Sequence, residues 1–261
     1  MKKIVLFLLL TVSLFSFENQ KIENLMGESE FKTYNKLLDK IFVDKNMDIL
    51  TILSTLKNNG LLDLFFNKPR IIHTKFIFSS RNDIIKMKVL NDSLKSLGYY
   101  YFYPSDTQKT DDEFIVNIEF KSEHYIDPVV MIKEMDSRGC MIKDVDRDND
   151  MFVYKFDCSN AFIKEAVTLT NKNKRYINIK GDYWIKPADF EKIYIRTRKV
   201  DYWHPSVWFY DDKLNLINDV KINRKTDRLT LEIPAGCDYI KITDIYSGEN
   251  FKRGIIIKGL K

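Results

Sequence analysis

The chain has 261 residues, 44% of them hydrophobic, and a formal net charge of +5 at pH 7. This basic excess is mild and interspersed, so it predicts neither a nucleic-acid-binding protein nor one held to a membrane by a polybasic patch. The hydrophobic content predicts a folded chain, and the length predicts about two domains.

The first 17 residues, MKKIVLFLLLTVSLFSF, place two lysines before an apolar run from Ile4 to Phe17. A basic start followed by an apolar run too short for a permanent bilayer helix is typical of a signal peptide. We expect cleavage after Ser16, and an uncleaved N-terminal anchor is the alternative. The remaining chain would have no stable transmembrane span and a net charge of +3, because Lys2 and Lys3 leave with the leader. The periplasm of a Gram-negative bacterium is the predicted location.

Residues 18–70 are predicted to form a helical hairpin. Apolar residues recur at steps of three and four, with Asp48 as the N-cap of the second helix and Gly60 as its stop. The apolar positions are Phe31, Tyr34, Leu37, Leu38, Ile41 and Phe42 in the first helix, and Ile49, Ile52, Leu53 and Leu56 in the second. Because an isolated hairpin cannot bury such a face, we expect it to dock on another surface.

Residues 71–170 are predicted to form an α+β domain with two main helices. Ser80 and Asp83 make a capping box for the first helix, which ends at Gly98, and Asp127 followed by Pro128 starts the second. The apolar positions are Ile84, Met87, Leu90, Leu94 and Leu97 in the first helix, and Val129, Ile132 and Met135 in the second. A third, short helix is predicted at 160–169.

Strands are predicted at 71–80, 99–104 and 113–120, followed by two more after Gly139. In the third strand Phe114, Val116, Ile118 and Phe120 alternate onto one face. The order is strand, helix, strand, strand, helix, strand, with an extra strand near the end, which is the ferredoxin-like split βαβ plan. Over residues 71–158 this order resembles the ring-building and secretin N-domain modules of bacterial envelope machines. The resemblance implies a structural role among envelope proteins.

Residues 174–261 are predicted to form an antiparallel β-sandwich. A polar run at 171–175 marks the boundary, and beyond it helical periodicity disappears. Short segments rich in β-branched and aromatic residues follow one another, separated by Gly, Pro, Asp and Asn, which is the pattern of such a domain.

The predicted hairpin GCMIKDVDRDNDMFVYKFDCS contains two of the three cysteines. A tight turn at 148–150 would place Ile142 opposite Phe156 and Cys140 opposite Cys158, at a distance that permits a disulfide. The alternatives are two buried free thiols, a redox pair or a zinc site. The wide spacing of the cysteines disfavours the redox pair, and the shortage of nearby histidines disfavours zinc. The remaining Cys237 is either a small buried residue or an intermolecular link.

No cofactor, metal or catalytic residue is predicted. The aspartates Asp144, Asp146, Asp148 and Asp150 imitate the start of a calcium loop, but Asn149 and Lys155 stand where the loop needs glycine and glutamate. The histidines His73, His124 and His204 are far apart, and no hydrolase motif is present. A cleft with two titratable side chains within hydrogen-bond reach would instead indicate an enzyme.

All three tryptophans fall between 184 and 208. Tyr202 and Trp203 precede Pro205 in a predicted loop or strand end, so we expect them to be partly exposed and to form an interaction surface with Trp208. The alternative is that the alternate residues Trp208 and Tyr210 belong to the core.

The predicted function is a non-enzymatic structural or adaptor protein of an envelope assembly, in the narrowest form a flagellar-motor disk or scaffold. Its partners would be other envelope proteins or further copies of itself. The second hypothesis is a glycan- or peptidoglycan-binding protein that uses this aromatic surface.

Overall fold

The computed structural model describes residues 20–42, 47–79, 82–178 and 182–261. The predicted signal peptide and Ser80 of the capping box lie outside these residues. The chain divides into two compact units, the first comprising Met1–Arg81 with Val89–Ala161 and the second Asn82–Lys88 with Phe162–Lys261. The fold class is α+β, as predicted: N-terminal helices and a mixed sheet with inserted helices precede two further sheets. Within the described residues, no helix is both long and apolar enough to span a membrane.

Helices form in the N-terminal segment as predicted, and their pairing as a hairpin stays a prediction. Residues 20–26 (α1) are helical, and the helices that follow are α2 (Glu28–Ile41), α3 (Ile49–Asn58), α4 (Asp83–Ser96) and α5 (Pro128–Asp136). The Asp48 side chain accepts a hydrogen bond from the Thr51 N–H and caps α3 as predicted. In α2, however, Leu38 is the buried residue, while Tyr34 and Leu37 are exposed. Docking of the α2 apolar face therefore stays a prediction.

The first unit contains a five-stranded mixed sheet in the order β2-β3-β1-β5-β4. Its strands are β1 (Phe65–Ser79), β2 (Phe102–Lys109), β3 (Glu113–His124), β4 (Met141–Asp148) and β5 (Met151–Asp157). Strand β3 lies between β1 and β2 and is antiparallel to both, as in a split βαβ unit. The four residues predicted to share one face of β3 are all buried.

The second half of this sheet departs from the four-stranded ferredoxin-like order. In that order the strand after the second helix lies beside the first strand, whereas here β5 pairs with β1 in parallel and β4 lies at the edge. The burial of the two strands gives a physical reason. Strand β5 buries Phe152, Tyr154 and Phe156, while β4 buries Val145 alone, so the more apolar strand takes the central place.

The second unit is built from two sheets. The strands are β6 (Val167–Thr168), β7 (Lys174–Tyr176), β8 (Tyr183–Lys186), β9 (Lys192–Arg196), β10 (Pro205–Tyr210), β11 (Leu216–Lys221), β12 (Arg228–Glu232), β13 (Tyr239–Asp244) and β14 (Ile255–Leu260). The sheets have the orders β11-β10-β13-β8-β6 and β12-β9-β14-β7 and share one buried core, to which both contribute isoleucines such as Ile242 and Ile195. This is the predicted β-sandwich.

Two local predictions are wrong. Residues 160–169 do not form a helix: they contain isolated turns and then β6, because pairing with β8 satisfies this backbone, including the Leu169 N–H bonded to the Lys186 carbonyl. The second strand begins at Phe102 rather than at Tyr99. The Tyr99 N–H donates instead to the Leu94 carbonyl and closes the end of α4.

Candidate functional site

A cleft of about 750 Å³ opens in the first unit. It lies where the loop after α3, the start of β1, the end of α4 and the turn between β3 and α5 converge. The lining is mostly apolar and includes Leu62, Leu64, Leu97 and Ile126; its polar side chains are those of Lys57, Asp63, Tyr99, His124, Tyr125 and Asp127. A concave, largely apolar pocket with a few convergent polar groups is the usual form of a binding site.

Backbone contacts position the two walls of the cleft. Gly98 has φ +92°, a left-handed conformation that ends α4 and directs the chain into Tyr99. The Tyr99 ring packs edge-on against Phe120, with centroids 5.0 Å apart. Across the cleft, the Tyr125 N–H donates to the Leu64 carbonyl at 2.9 Å, which fixes the loop after α3 against the end of β3.

Tyr99 and His124 form a hydrogen-bonded pair at the cleft. The Tyr99 hydroxyl lies 3.2 Å from His124 Nδ1, and both groups lie within 3.4 Å of the Tyr125 carbonyl oxygen. Burial, with a smaller contribution from the charge of Asp127, raises the pKa of Tyr99 to about 12. The phenol therefore stays protonated at neutral pH, and its single O–H donates to the Tyr125 carbonyl oxygen at 3.4 Å.

Asp127 is a further polar residue of the cleft lining. Its Oδ1 accepts hydrogen bonds from the N–H groups of Val129 at 3.0 Å and Val130 at 3.4 Å, which confirms the predicted N-cap of α5. Its second oxygen contacts the Lys57 ammonium group. The carboxylate is therefore engaged with the helix and with Lys57.

The Tyr99–His124 pair raises the possibility of a catalytic site in the cleft. Tyr99 and His124 are two titratable side chains within hydrogen-bond reach in a cleft, which is the criterion stated above for catalysis. A phenol with a raised pKa is nevertheless a weak nucleophile. The described lining contains no Ser, Thr or Cys for His124 to activate.

An exposed aromatic ring, that of Phe65, borders the cleft. Phe65 is 74% exposed, and its ring centroid lies 6.0 Å from that of His124. Tyr100 and Tyr101, which directly follow Tyr99, are also exposed. These residues were not predicted to form a surface. The available signal was the clustering of tyrosines at 99–101 and the phenylalanine pair that precedes Pro69.

The predicted interaction residues of the second unit have three different environments. Tyr202 is exposed and Trp208 is partly buried, but Trp203 is fully buried, so its predicted exposure is wrong. The Trp203 ring stacks on Phe251, and its Nε1–H donates to the Thr243 carbonyl at 2.9 Å. The reason is strand periodicity: Trp203 keeps the inward parity of β10, two residues before Pro205.

Trp208 lies on the outer face of the five-stranded sheet. Its Nε1–H donates to the Ser206 hydroxyl at 2.6 Å, and the Lys221 ammonium lies 5.1 Å from its ring. Tyr210 is 6.3 Å from the Trp208 ring, and burial raises the pKa of Tyr210 to about 12. Trp208 and Tyr210 thus belong neither to the core between the two sheets nor to a fully open platform.

Tyr202 belongs to a group of loop residues at one end of the sandwich. We call this group the loop cluster; it consists of Tyr202, His204, Asn223, Lys225 and Tyr246. The Tyr246 ring packs edge-on against His204 at 4.9 Å, and its hydroxyl donates to Asn223 Oδ1. The Lys225 ammonium lies 4.2 Å from the Tyr202 ring centroid. The two tyrosines are 64% and 63% exposed.

The buried carboxylate of Asp244 organises the loop cluster from beneath. It accepts hydrogen bonds from the N–H groups of His204, Tyr246 and Ser247 and from the Asn250 amide. Burial opposes ionisation of Asp244, but these hydrogen bonds outweigh it and lower the pKa. The loops that carry Tyr202 and Tyr246 are therefore held by one ionised side chain.

The remaining predicted residues have structural partners. Cys140 and Cys158 form a disulfide, and Ile142 lies opposite Phe156 as predicted. The register shifts by one residue between Ile142 and Asp144, so the turn is Asn149–Asp150 rather than 148–150. The acidic residues of the hairpin contact basic side chains: Lys21 contacts Asp144 at 2.7 Å and Asp146 at 3.6 Å, and Arg70 contacts Asp150 at 3.3 Å.

The three histidines lie in separate settings. His73 Nδ1 is 3.3 Å from Glu119 on the exposed face of the mixed sheet, His124 borders the cleft, and His204 lies in the loop cluster. Cys237 is a partly buried free thiol whose pKa is raised to about 11 by burial. The structure thus brings His124 together with Tyr99, and His204 with Tyr246.

Comparison with known proteins shows no family for this chain. No family model and no curated protein matches it. One solved structure, the sugar-binding C-terminal domain of EclA, is 11% identical, covers 40% of this chain and 83% of its own, and has a TM-score of 0.21. Another, the secreted serine protease VesC from Vibrio cholerae, is 7% identical and has a TM-score of 0.24. It covers 74% of this chain, which spans 44% of that protease. Likenesses at this level carry no argument about function.

Proposed function

We propose that the protein is a non-enzymatic adaptor of the cell envelope that binds a segment of a partner protein in the cleft of its first unit. The observation that carries the proposal is the exposed Phe65 ring at the border of a largely apolar cleft whose polar side chains contact one another. Aromatic residues beside such a cleft are the usual anchors of protein interfaces.

The polar groups of the cleft are suited to selecting a peptide segment. Tyr99 offers a hydroxyl oxygen that can accept a hydrogen bond, and the Lys57–Asp127 ion pair adds charged groups to the lining. Apolar side chains of a partner would contact Leu62, Leu64 and Val130, and its backbone groups would bond to the polar rim. Binding would then need no activated nucleophile.

The disulfide supports an extracytoplasmic location, because such bonds persist in oxidising compartments. The predicted signal peptide would deliver the chain to the periplasm. Assembly into a flagellar-motor disk or scaffold, and self-association, stay predictions. Fractionation of the cells that make the protein tests the compartment: the adaptor role in the envelope requires recovery of the chain outside the cytoplasm.

Site-specific photo-crosslinking tests the cleft. A photoreactive amino acid placed at Phe65 is expected to form an adduct with a partner protein in living cells. The same amino acid at Ile177, which is 67% exposed on the second unit, serves as the control. Adducts that are the same at both positions, or no adduct at Phe65, would contradict the proposal.

Binding measurements with purified proteins then distinguish specific docking in the cleft from nonspecific hydrophobic binding. With the captured partner purified, Phe65→Ala is expected to weaken binding at least about tenfold, as for the loss of an interface anchor. Ile71→Ala removes a 63% exposed apolar side chain from the same strand and is expected to leave the affinity unchanged. Equal effects of the two substitutions would argue against the cleft as the docking site.

Glycan binding is the second candidate function. The predicted surface of Tyr202, Trp203 and Trp208 cannot serve as a whole, because Trp203 is in the core. One observation favours a glycan at a neighbouring place: the exposed rings of Tyr202 and Tyr246 occur together with polar side chains in the loop cluster. Loss of retention on cell-wall polymers after Tyr202→Ala would support this function.

A further inference from the structure

We infer that the loop cluster is a site for a carboxylated saccharide, in which sugar rings stack on Tyr202 or Tyr246 and the sugar carboxylate pairs with Lys225. The inference rests on the second candidate function, and it names the chemical class of the ligand. It is independent of the adaptor role, because the loop cluster belongs to the second unit and shares no residue with the cleft.

The aromatic part of the site consists of two phenol rings held at fixed positions. The backbone N–H of Tyr202 donates to the Asn250 carbonyl at 3.3 Å, and that of Tyr246 donates to Asp244 at 2.8 Å. Both rings remain about two-thirds exposed, although each has an anchored backbone. Exposed aromatic faces on an ordered loop bind flat apolar surfaces at little entropic cost, and the C–H faces of pyranose rings are such surfaces.

The exposed charge of the site is the ammonium group of Lys225, because the neighbouring carboxylates are buried or ion-paired. Asp244 is held by N–H groups, Asp201 contacts Arg253 at 3.3 Å, and Glu249 contacts Lys252. Lys225 is exposed and faces the Tyr202 ring; in the part of the chain that the structure describes, it makes no ion pair within 4.0 Å. A ligand carboxylate would supply the missing counter-charge, so an acidic sugar fits better than a neutral one.

Asn223 supplies hydrogen-bonding capacity for sugar hydroxyls. Its Oδ1 accepts the Tyr246 hydroxyl, which orients the side chain and leaves both hydrogens of its amide nitrogen as donors. The residue is exposed. The loop cluster therefore combines stacking rings, an oriented amide and a cation, which together match a carboxylated sugar.

Titration calorimetry with three saccharides tests the inference. The probes are the N-acetylglucosamine–N-acetylmuramic acid disaccharide, trigalacturonate and neutral chitotriose. The first two carry a carboxylate from two different sources, peptidoglycan and uronic polysaccharides, so they tell the sources apart. We expect at least one of them to bind about tenfold more tightly than chitotriose, with an affinity that falls as salt rises.

Variants assign the contacts. Lys225→Gln is expected to abolish the preference for the carboxylated probe, while Lys213→Gln, on an exposed turn, leaves it intact. Tyr202→Ala and Tyr246→Ala together are expected to weaken binding of every probe about tenfold or more.

Three results would overturn the inference. They are no binding of either carboxylated probe at millimolar concentration, chitotriose binding as tight as theirs, and a preference for the carboxylate that persists in Lys225→Gln. The crosslinking result at Phe65 is independent of all three, so failure of the saccharide site leaves the adaptor proposal standing. Binding of chitotriose alone would keep glycan binding while rejecting the acidic class.

Discussion

Cys140 and Cys158 are joined by a disulfide that closes the open end of the β4–β5 hairpin. Both cysteines are buried, at 0% and 3% exposure, and they follow the predicted pairing of Ile142 with Phe156. A disulfide screened from solvent in this way is a structural crosslink rather than a redox centre, because exchange requires access of an attacking thiolate.

Removal of the crosslink is expected to destabilise the first unit. For a closed loop of this length, with a sequence separation of 18, the chain-entropy model gives about 3 kcal/mol. The double substitution Cys140→Ser with Cys158→Ser should lower the free energy of unfolding in urea by that amount, and Cys237→Ser serves as the control. Alkylation of three thiols in the denatured, unreduced protein would show that the bond is not formed in solution.

Cys237 is expected to react slowly in the folded protein. Its pKa is raised to about 11, so at pH 8 its thiolate is roughly a hundredfold scarcer than that of an unfolded cysteine. Alkylation by iodoacetamide, followed by mass spectrometry, should accelerate about tenfold per pH unit between pH 8 and 10. Rapid alkylation at pH 7 at the rate of the urea-unfolded chain would contradict this environment.

Trp203 is expected to act as a core residue. Trp203→Ala should lower the free energy of unfolding by about 3–5 kcal/mol, because it leaves a cavity against Phe251 and an unpaired Thr243 carbonyl. The exposed neighbour Tyr202 provides the control, since Tyr202→Ala should change stability by less than about 0.5 kcal/mol. Comparable, small effects of the two substitutions in chemical denaturation would place Trp203 at the surface.

Asp244 is expected to make the second unit sensitive to acid. The folded-state pKa of this carboxyl group is lowered, so its contribution is present above the unfolded value of about 3.9 and is lost as the pH falls through the folded value. Asp244→Ala should lower the free energy of unfolding at pH 7 by about 1–3 kcal/mol, because three backbone N–H groups lose an acceptor.

The pH profile separates this role from simple packing. In Asp244→Ala the loss of stability as the pH falls below about 4 should become shallower, because the titrating group is gone. The exposed Asp212→Ala is the control and should keep the original profile. An unchanged acid limb in Asp244→Ala would show that this carboxylate does not control acid stability.

Local chemistry explains which features were predictable. Asp127 and Pro128 start α5 through hydrogen bonds made within a few residues, and the alternation of β3 follows from its own side chains. Helix α4 shows the limit of such patterns. The expected face contained Ile84, yet Ile84 is 55% exposed while Ile85 is buried, because packing rather than spacing selects between adjacent isoleucines.

The candidate sites depend on contacts between distant parts of the chain. The cleft joins Lys57, Tyr99, His124 and Asp127, whose convergence requires the order of the mixed sheet. The loop cluster joins Tyr202, Asn223 and Tyr246 from three loops of the sandwich. The spacing of these residues along the sequence does not predict that either the cleft residues or the loop-cluster residues come together.

The amino-acid sequence alone was enough to predict the α+β class, the N-terminal helices, the caps of α3 and α5, and the pairing of Cys140 with Cys158. These features arise from short-range hydrogen bonds and from side-chain periodicity, both of which depend on residues that are close in the sequence. The tertiary structure was needed to place β5 beside β1, to bury Trp203 and to assemble the cleft and the loop cluster. Those outcomes depend on which apolar surfaces of distant segments bury one another most completely, and that choice is made only when the whole chain packs.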